Sequence, residues 1–225
     1  MKDMDIPRKT PRLYLVICNI QSLANVKSLM NTAMGFGCLQ VWIIGQSKNL
    51  QRSPWMSKQF QEALNQHRME LLLFPKWNDC LDHIQAQQSL PISLVGVEID
   101  ENSQVLDNLE IVPPFVAEGN DIAILMGNEG QGIHPKHLEA CQGRLIRIPQ
   151  YGVGTASFNV NVACSIVLYH IHQWKYRREL LLMKNDHMDE LPSQTSGASR
   201  KSSRVVAKMQ IDNSVSGNEE ERLTV

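Results

Sequence analysis

Two stretches place glycine and polar residues directly beside apolar runs, where packing alone asks for neither. The first is Ile124-Leu125-Met126-Gly127-Asn128-Glu129-Gly130-Gln131-Gly132, an apolar run entering a glycine-rich turn ahead of a helix that starts near Pro135. Glycines in such a turn let the backbone approach a ligand closely and present its N–H and C=O groups to it. The turn is not a Walker loop, since the Lys-Ser/Thr ending is absent, and its glycine spacing is not that of a dinucleotide-binding fold. On its own it is as consistent with a plain loop as with a binding turn. The second stretch is Ile148-Pro149-Gln150-Tyr151-Gly152-Val153-Gly154-Thr155-Ala156-Ser157-Phe158-Asn159-Val160, a strand end, a glycine-bearing loop and a helix entered through Thr155 and Ser157. Thr155 or Ser157 can cap that helix, and Ala163, Ile166, Val167 and Ile171 form its buried face. Asn159 is left over, an amide in the first turn of a helix otherwise filled with apolar side chains, unless a partner waits for it.

The elements that must hold these stretches alternate along the chain. Strand-like runs fall at Leu13–Cys18, Leu39–Ile44, Glu70–Phe74, Ile92–Ile99, Asp121–Met126 and Arg144–Ile148, several of them too uniformly apolar for a sheet with one wet face. Helical patterns lie between them, at about Leu23–Met34, Ser57–Gln66, Trp77–Gln87 and Pro135–Cys141, followed by a long one from about Ser157 to Met183. This alternation predicts an α/β fold, a mostly parallel sheet flanked by helices. Asn25 can cap the first helix, and Gly35-Phe36-Gly37 supplies its stop. Residues 1–10 read as an N-terminal tail and 11–183 as one domain. After Met183 the composition turns to Ser, Asn, Glu, Lys and Arg, so 184–225 reads as a disordered tail whose ordering would bury too little.

With 43% hydrophobic and 20% charged residues in 225, and no run approaching the roughly 18 to 20 apolar residues of a membrane span, the expectation is a soluble protein and no membrane partner. Met1 to Arg12 has no apolar core of a secretory signal, which predicts an intracellular, cytoplasmic location. The five cysteines are scattered singly among apolar neighbours and read as reduced core residues. His134 with His137, and His170 with His172, lack an acidic or cysteine ligand at metal spacing, so no metal is expected. A net charge of −1 argues against a strongly basic coat but leaves a local RNA-binding patch open. Lys175, Arg177 and Arg178 read as solvated residues that complement a helix C-terminus, with phosphate contact as the alternative.

Gly127-Asn128-Glu129-Gly130-x-Gly132, then Ile148-Pro149, then Ser157-Phe158-Asn159-Val160, together resemble the second and third motifs of the SpoU (TrmH-like) branch of the SPOUT RNA methyltransferases. Asn25, Ala33, Phe36 and Gly37 resemble its first motif, and the match spans about residues 11 to 176 in order and spacing. The resemblance implies a trefoil knot near the carboxyl end and a homodimer with sites at the subunit interface. It implies S-adenosyl-L-methionine as cofactor, held mainly by backbone groups, with Met126, Gly127, Gly132, Ile148, Gln150, Gly152, Ser157 and Phe158 around it. The substrate it implies is a ribose 2′-hydroxyl of tRNA or rRNA. Asn25, Glu129, Ser157 and Asn159 then shape the reacting site. The dimer face would include the long helix through Val167, Leu168, Ile171 and Trp174.

Two positions depart from the pattern. Ribose hydroxyls are weak nucleophiles and need activation and alignment. The family is thought to use an Arg for this, where this chain has Asn31, an uncharged amide. Lys27 stands where Gly is usual. Lys27 and Asn31 are four apart and share a helix face, so either the cation has moved by one turn, or Lys27 is an ordinary solvated residue and the protein is an RNA- or cofactor-binding partner impaired in catalysis.

Overall fold

The computed structural model describes residues 11–45, 56–86, 91–106, 112–152 and 157–189, with side chains described as far as residue 183. Its strands are β1 (Leu13–Cys18), β2 (Gln40–Ile44), β3 (Glu70–Phe74), β4 (Ile92–Val97), β5 (Gln104–Val105), β6 (Asp121–Met126) and β7 (Leu145–Arg147). Its helices are α1 (Leu23–Gly35), α2 (Lys58–Asn65), α3 (Trp77–Ala86), α4 (Pro114–Ala117), α5 (Pro135–Ala140) and α6 (Val160–Asp189). The strands form one sheet in the order β3-β2-β1-β6-β4-β7-β5, and every pairing between them is parallel. The central strands β1 and β6 are buried at every residue, whereas the edge strand β3 is half exposed. That is why the central runs are uniformly apolar: helices cover both faces of a parallel sheet.

Alternate side chains feed two cores. Leu13, Leu15, Ile17, Ile122, Ile124 and Met126 pack on one side with α1 and α6, while Tyr14, Val16, Cys18, Trp42, Ala123 and Leu125 pack on the other with residues of α3 and α5. Asp121 ties the sheet's start together, accepting from the Arg12 backbone N–H (2.8 Å) and the Tyr14 hydroxyl (3.0 Å). All five cysteines are buried and free, and burial pushes the Cys18 thiol up to about 11, so it stays a neutral core group.

Local chemistry differs from expectation at several ends. α1 is capped by Ser22, whose Oγ accepts from the Asn25 N–H at 3.4 Å, not by Asn25, which lies one turn inside with its amide turned outward. Its far end closes as Gly35-Phe36-Gly37 implies: Cys38 N–H donates to Ala33 O (2.9 Å), Gly37 N–H to Met34 O (3.1 Å), and Gly37 takes φ +66°. β4 ends at Val97 rather than Ile99, because the Glu98 side chain turns back to accept from the Ile99 N–H (3.1 Å). β5 and α4 were not expected; two residues and a single turn leave too little periodicity to see. α6 continues to Asp189, beyond Met183. The tails 1–10 and 190–225 and the alternative cap Thr155 lie outside the described residues.

Two expectations for α6 are overturned. Val167, Leu168, Ile171 and Trp174 are fully buried within this chain, so they are core and not a dimer face. The exposed apolar stripe is Val162, Tyr169, Tyr176 and Met183, seven residues apart and 45–61% exposed. Lys175 is not solvated: it is only 8% exposed, and desolvation pulls its ammonium below the usual lysine range. Among the described residues no helix is long and apolar enough to cross a membrane.

Candidate active site

β7 lies between β4 and β5, with Ile146 paired to Val97 on one side and to Gln104 on the other. The carboxyl ends of β4, β6 and β7 therefore meet, next to the point where the sheet order reverses from β1 outward. Ligand clefts of parallel sheets form at such ends. A cleft of about 600 Å³ opens there, within the usual range for a small-molecule site. Of the residues singled out in the sequence, Asn25, Met126, Gly127, Glu129, Gly132, Ile148, Gln150, Ser157, Phe158 and Asn159 line it. Segments far apart in the chain are thus brought to one cavity by the sheet order.

Along the edge of the cleft runs a chain of polar side chains. Glu129 accepts from the Gln21 N–H (2.9 Å), the Ser22 N–H (3.2 Å) and Asn25 Nδ2 (2.9 Å). Asn25 Oδ1 in turn accepts from Asn159 Nδ2 (3.2 Å), and Asn159 Oδ1 accepts from the Asn161 N–H (2.9 Å). The direction of this relay follows from its first member. An ionised carboxylate can only accept, so Asn25 must turn its NH2 to Glu129 and its carbonyl to Asn159, which leaves the Asn159 carbonyl to cap α6. Slight burial pushes the Glu129 carboxyl up, but hydrogen bonds from Asn25, Gln21, its own backbone and Ser22 outweigh it and hold the group below its ordinary value. The partner that the sequence leaves open for Asn159 is therefore Asn25. The cap of α6 is Asn159 itself rather than Ser157.

The glycine turn is built largely by its own backbone. Asn128 and Gly132 exchange N–H···O bonds of 3.0 and 2.9 Å, and Asn128 Oδ1 accepts from Gly130 and Gln131 N–H groups (2.8 and 3.1 Å). A Cβ on Gly127 would lie 2.5–2.6 Å from backbone atoms of Gly132 and Ile133. The demand for glycine at 127 thus comes first from the turn folding over itself, and the sequence-based reason, ligand approach, is second to it. Gly132 has φ +68° and sits against the Glu98 carboxylate, which also accepts from the Ile133 N–H at 2.7 Å. Glu98 was missed in the sequence, as was Arg147, which also lines the cleft. The available signal was a charged residue at the carboxyl end of an apolar strand.

Lys27, Asn31 and Gly152 do not line the cleft. At about 100° per residue, Lys27 and Asn31 lie roughly 200° and 240° around α1 from Asn25, so they face away from it. Both are exposed, and Asn31 Oδ1 accepts from the Ser57 hydroxyl (2.8 Å), which itself caps α2 by accepting from the Phe60 N–H (3.2 Å). Asn31 thereby joins α1 to α2. The histidines have packing roles: His137 stacks on Trp77 (centroids 4.1 Å apart), His134 Nδ1 accepts from the Lys136 N–H (3.3 Å), and His172 Nε2 donates to the Phe36 carbonyl (2.6 Å). Among the described residues no three His, Cys, Asp or Glu side chains cluster to hold a metal ion.

The sequence profile described as the SpoU rRNA Methylase family matches residues 12–169. The 23S rRNA (guanosine-2′-O-)-methyltransferase RlmB of Coxiella burnetii is 26% identical over 166 residues, 74% of this chain and 60% of that protein. This chain thus spans about three fifths of that relative's length. Among solved structures, the SpoU methyltransferase AviRb from Streptomyces viridochromogenes in complex with AdoMet aligns with a TM-score of 0.56 at 22% identity, over 79% of this chain and 62% of that one. The A. aeolicus TrmH/SpoU tRNA modifying enzyme aligns with a TM-score of 0.56 at 18% identity, over 81% of this chain and 93% of that one. These likenesses show a shared fold, and the profile match over most of the chain establishes that it belongs to the SpoU rRNA methylase family.

Proposed function

We propose that this protein transfers a methyl group from S-adenosyl-L-methionine to a ribose 2′-hydroxyl of tRNA or rRNA. The observation that carries the reading is the relay Glu129–Asn25–Asn159, which joins three separated sequence motifs at the edge of one cleft. The cleft fits the cofactor in size and lining. Val97, Ile99, Met126, Ile148 and Phe158 offer apolar walls to an adenosine, and the glycine turn offers close backbone. Bound there, S-adenosyl-L-methionine would supply a methyl group on a positively charged sulfur, ready for direct displacement.

The chain's own contribution is orientation. Asn25 and Asn159 are locked in one amide orientation by Glu129, so they present fixed dipoles to an incoming ribose without reorganising. Ser157 and Asn159 are exposed at the mouth and are the groups placed to touch that ribose. Calorimetric titration with S-adenosylhomocysteine tests the cofactor part: saturable binding is expected, and a folded protein that binds none would refute it.

We extend the reading to a trefoil knot and a homodimer. For the knot, support comes from the pairing of Ile146 on both sides, since residues 98–103 then cross from one flank of β7 to the other, the kind of crossing under which a knotted chain is threaded. For the dimer, support comes from Val162, Tyr169, Tyr176 and Met183, exposed large apolar side chains that recur every seven residues on one side of α6.

One observation favours a second reading, in which the protein binds cofactor or RNA but does not transfer methyl. Asn31 replaces the family's cation, and its carboxamide is already engaged by Ser57. Lys27, one turn away, faces from the cleft of its own chain. Under this second reading the wild type transfers no methyl, and Lys27→Gly with Asn31→Arg together restores some transfer.

A further inference from the structure

The cleft carries three charged side chains, and two of them are already committed. Glu129 is saturated by the start of α1, and Glu98 accepts from the Ile99 and Ile133 N–H groups. The third is Arg147, the last residue of β7 and the one cation among the cleft's described residues. Its Nε is buried and has no hydrogen-bond partner among the described residues. A buried donor without a partner is costly, and of the five such atoms among the described residues only Arg147 Nε belongs to a residue that lines the cleft. Here the donor sits at a ligand cleft, which points to a partner that arrives with the ligand. That partner must be an acceptor, because a guanidinium only donates, and the charge and planar fork of the group favour a carboxylate over a neutral oxygen.

We propose that Arg147 receives the α-carboxylate of the amino-acid part of S-adenosyl-L-methionine. The proposal rests on the cofactor reading above. The carboxylate is that molecule's one anionic group, and Arg147 is the one cationic side chain to set against the two carboxylates, Glu98 and Glu129, among the described residues that line the cleft. An RNA phosphate is the less favoured anion, since the unpartnered Nε lies below the surface while the groups at the mouth, Ser157 and Asn159, are uncharged.

The test compares two probes by calorimetry: S-adenosylhomocysteine, which carries the carboxylate, and 5′-methylthioadenosine, which keeps the adenosine and sulfur but lacks the amino-acid part. For Arg147→Met, S-adenosylhomocysteine should bind about 10- to 100-fold more weakly while methylthioadenosine is unchanged, as expected for loss of one charge-assisted pair. Arg147→Lys should fall between, because it keeps the charge and loses the fork. If Arg147→Met does not fold, as judged by circular dichroism, Arg147→Lys gives the same comparison with a smaller loss. Equal weakening of both probes would overturn the proposal and make Arg147 a structural residue. Unchanged S-adenosylhomocysteine affinity with weaker retention of an RNA oligonucleotide would overturn it too, assigning the guanidinium to phosphate. A wild type that binds neither probe would instead refute the cofactor reading itself.

Discussion

Replacing Glu129 by Gln tests the relay at its source. The carboxylate accepts three hydrogen bonds, two from backbone N–H groups at the start of α1 and one from Asn25. A Gln keeps one acceptor oxygen and points an NH2 at donors on the other side, so at least one bond is lost and one donor–donor contact is made. A hydrogen bond to a charged group contributes about 1.5–3 kcal/mol when buried, but Glu129 is exposed and solvent screens it, so about 1–2 kcal/mol in all is the expected loss. For a domain of this size that is a fall in Tm of about 2–8 °C. The pH dependence carries the sign of the argument. The Glu129 carboxyl is held below its ordinary value, so its stabilisation is present above the unfolded-state pKa and is lost as pH falls through the lowered folded value. The assay is urea unfolding of wild type and Glu129→Gln at a series of pH values. The gap between them should be full at neutral pH and narrow as pH falls below the ordinary glutamate range. Equal stability at neutral pH, or a gap that persists undiminished at pH 3, would refute the reasoning.

Gly127→Val should cost about 1–3 kcal/mol in thermal unfolding, because its Cβ meets the backbone of Gly132 and Ile133, and S-adenosylhomocysteine binding should weaken with it. Lys27→Ala and Asn31→Ala should leave S-adenosylhomocysteine affinity within about twofold, as neither side chain lines the cleft, and Asn31→Ala should cost at most about 1 kcal/mol of stability through its exposed bond to Ser57; a large affinity loss in calorimetry would contradict this. The proposed homodimer predicts that the wild type is a dimer in light scattering and that Tyr169→Glu with Tyr176→Glu is a monomer with its secondary structure retained, since both side chains are exposed; a monomeric wild type would contradict it.

Much of the fold was legible in the sequence because its strands are buried on both faces. Runs such as Ile122–Met126 carry no alternation to misread, and the glycine and proline residues around them mark the turns. The order of strands was not legible. Nothing in local periodicity says that β7 inserts between β4 and β5, since that is set by long-range pairing of Ile146 with Val97 and Gln104. The site was legible where residue type conflicts with its surroundings. Asn159, an amide in an apolar helix, signalled a partner, but only the fold identifies it as Asn25, 134 residues away. Asn25 itself was misread as a cap because a capping residue and an amide one turn further in look alike without backbone geometry. Glu98 and Arg147 were overlooked because a charge at the end of a strand ordinarily marks a solvated turn. The apolar residues of α6 were assigned to an interface for a similar reason: a helix pattern shows which faces are apolar but not which of them the chain covers itself.

The central claim is tested most directly by methyl transfer. The wild-type protein is incubated with methyl-labelled S-adenosyl-L-methionine and total tRNA and rRNA, and the RNA is digested to nucleosides. Label recovered in a 2′-O-methylated nucleoside, and lost on Asn159→Ala, is the predicted result. Label in a base-methylated nucleoside, or none at all from a folded protein that binds the cofactor, would contradict it.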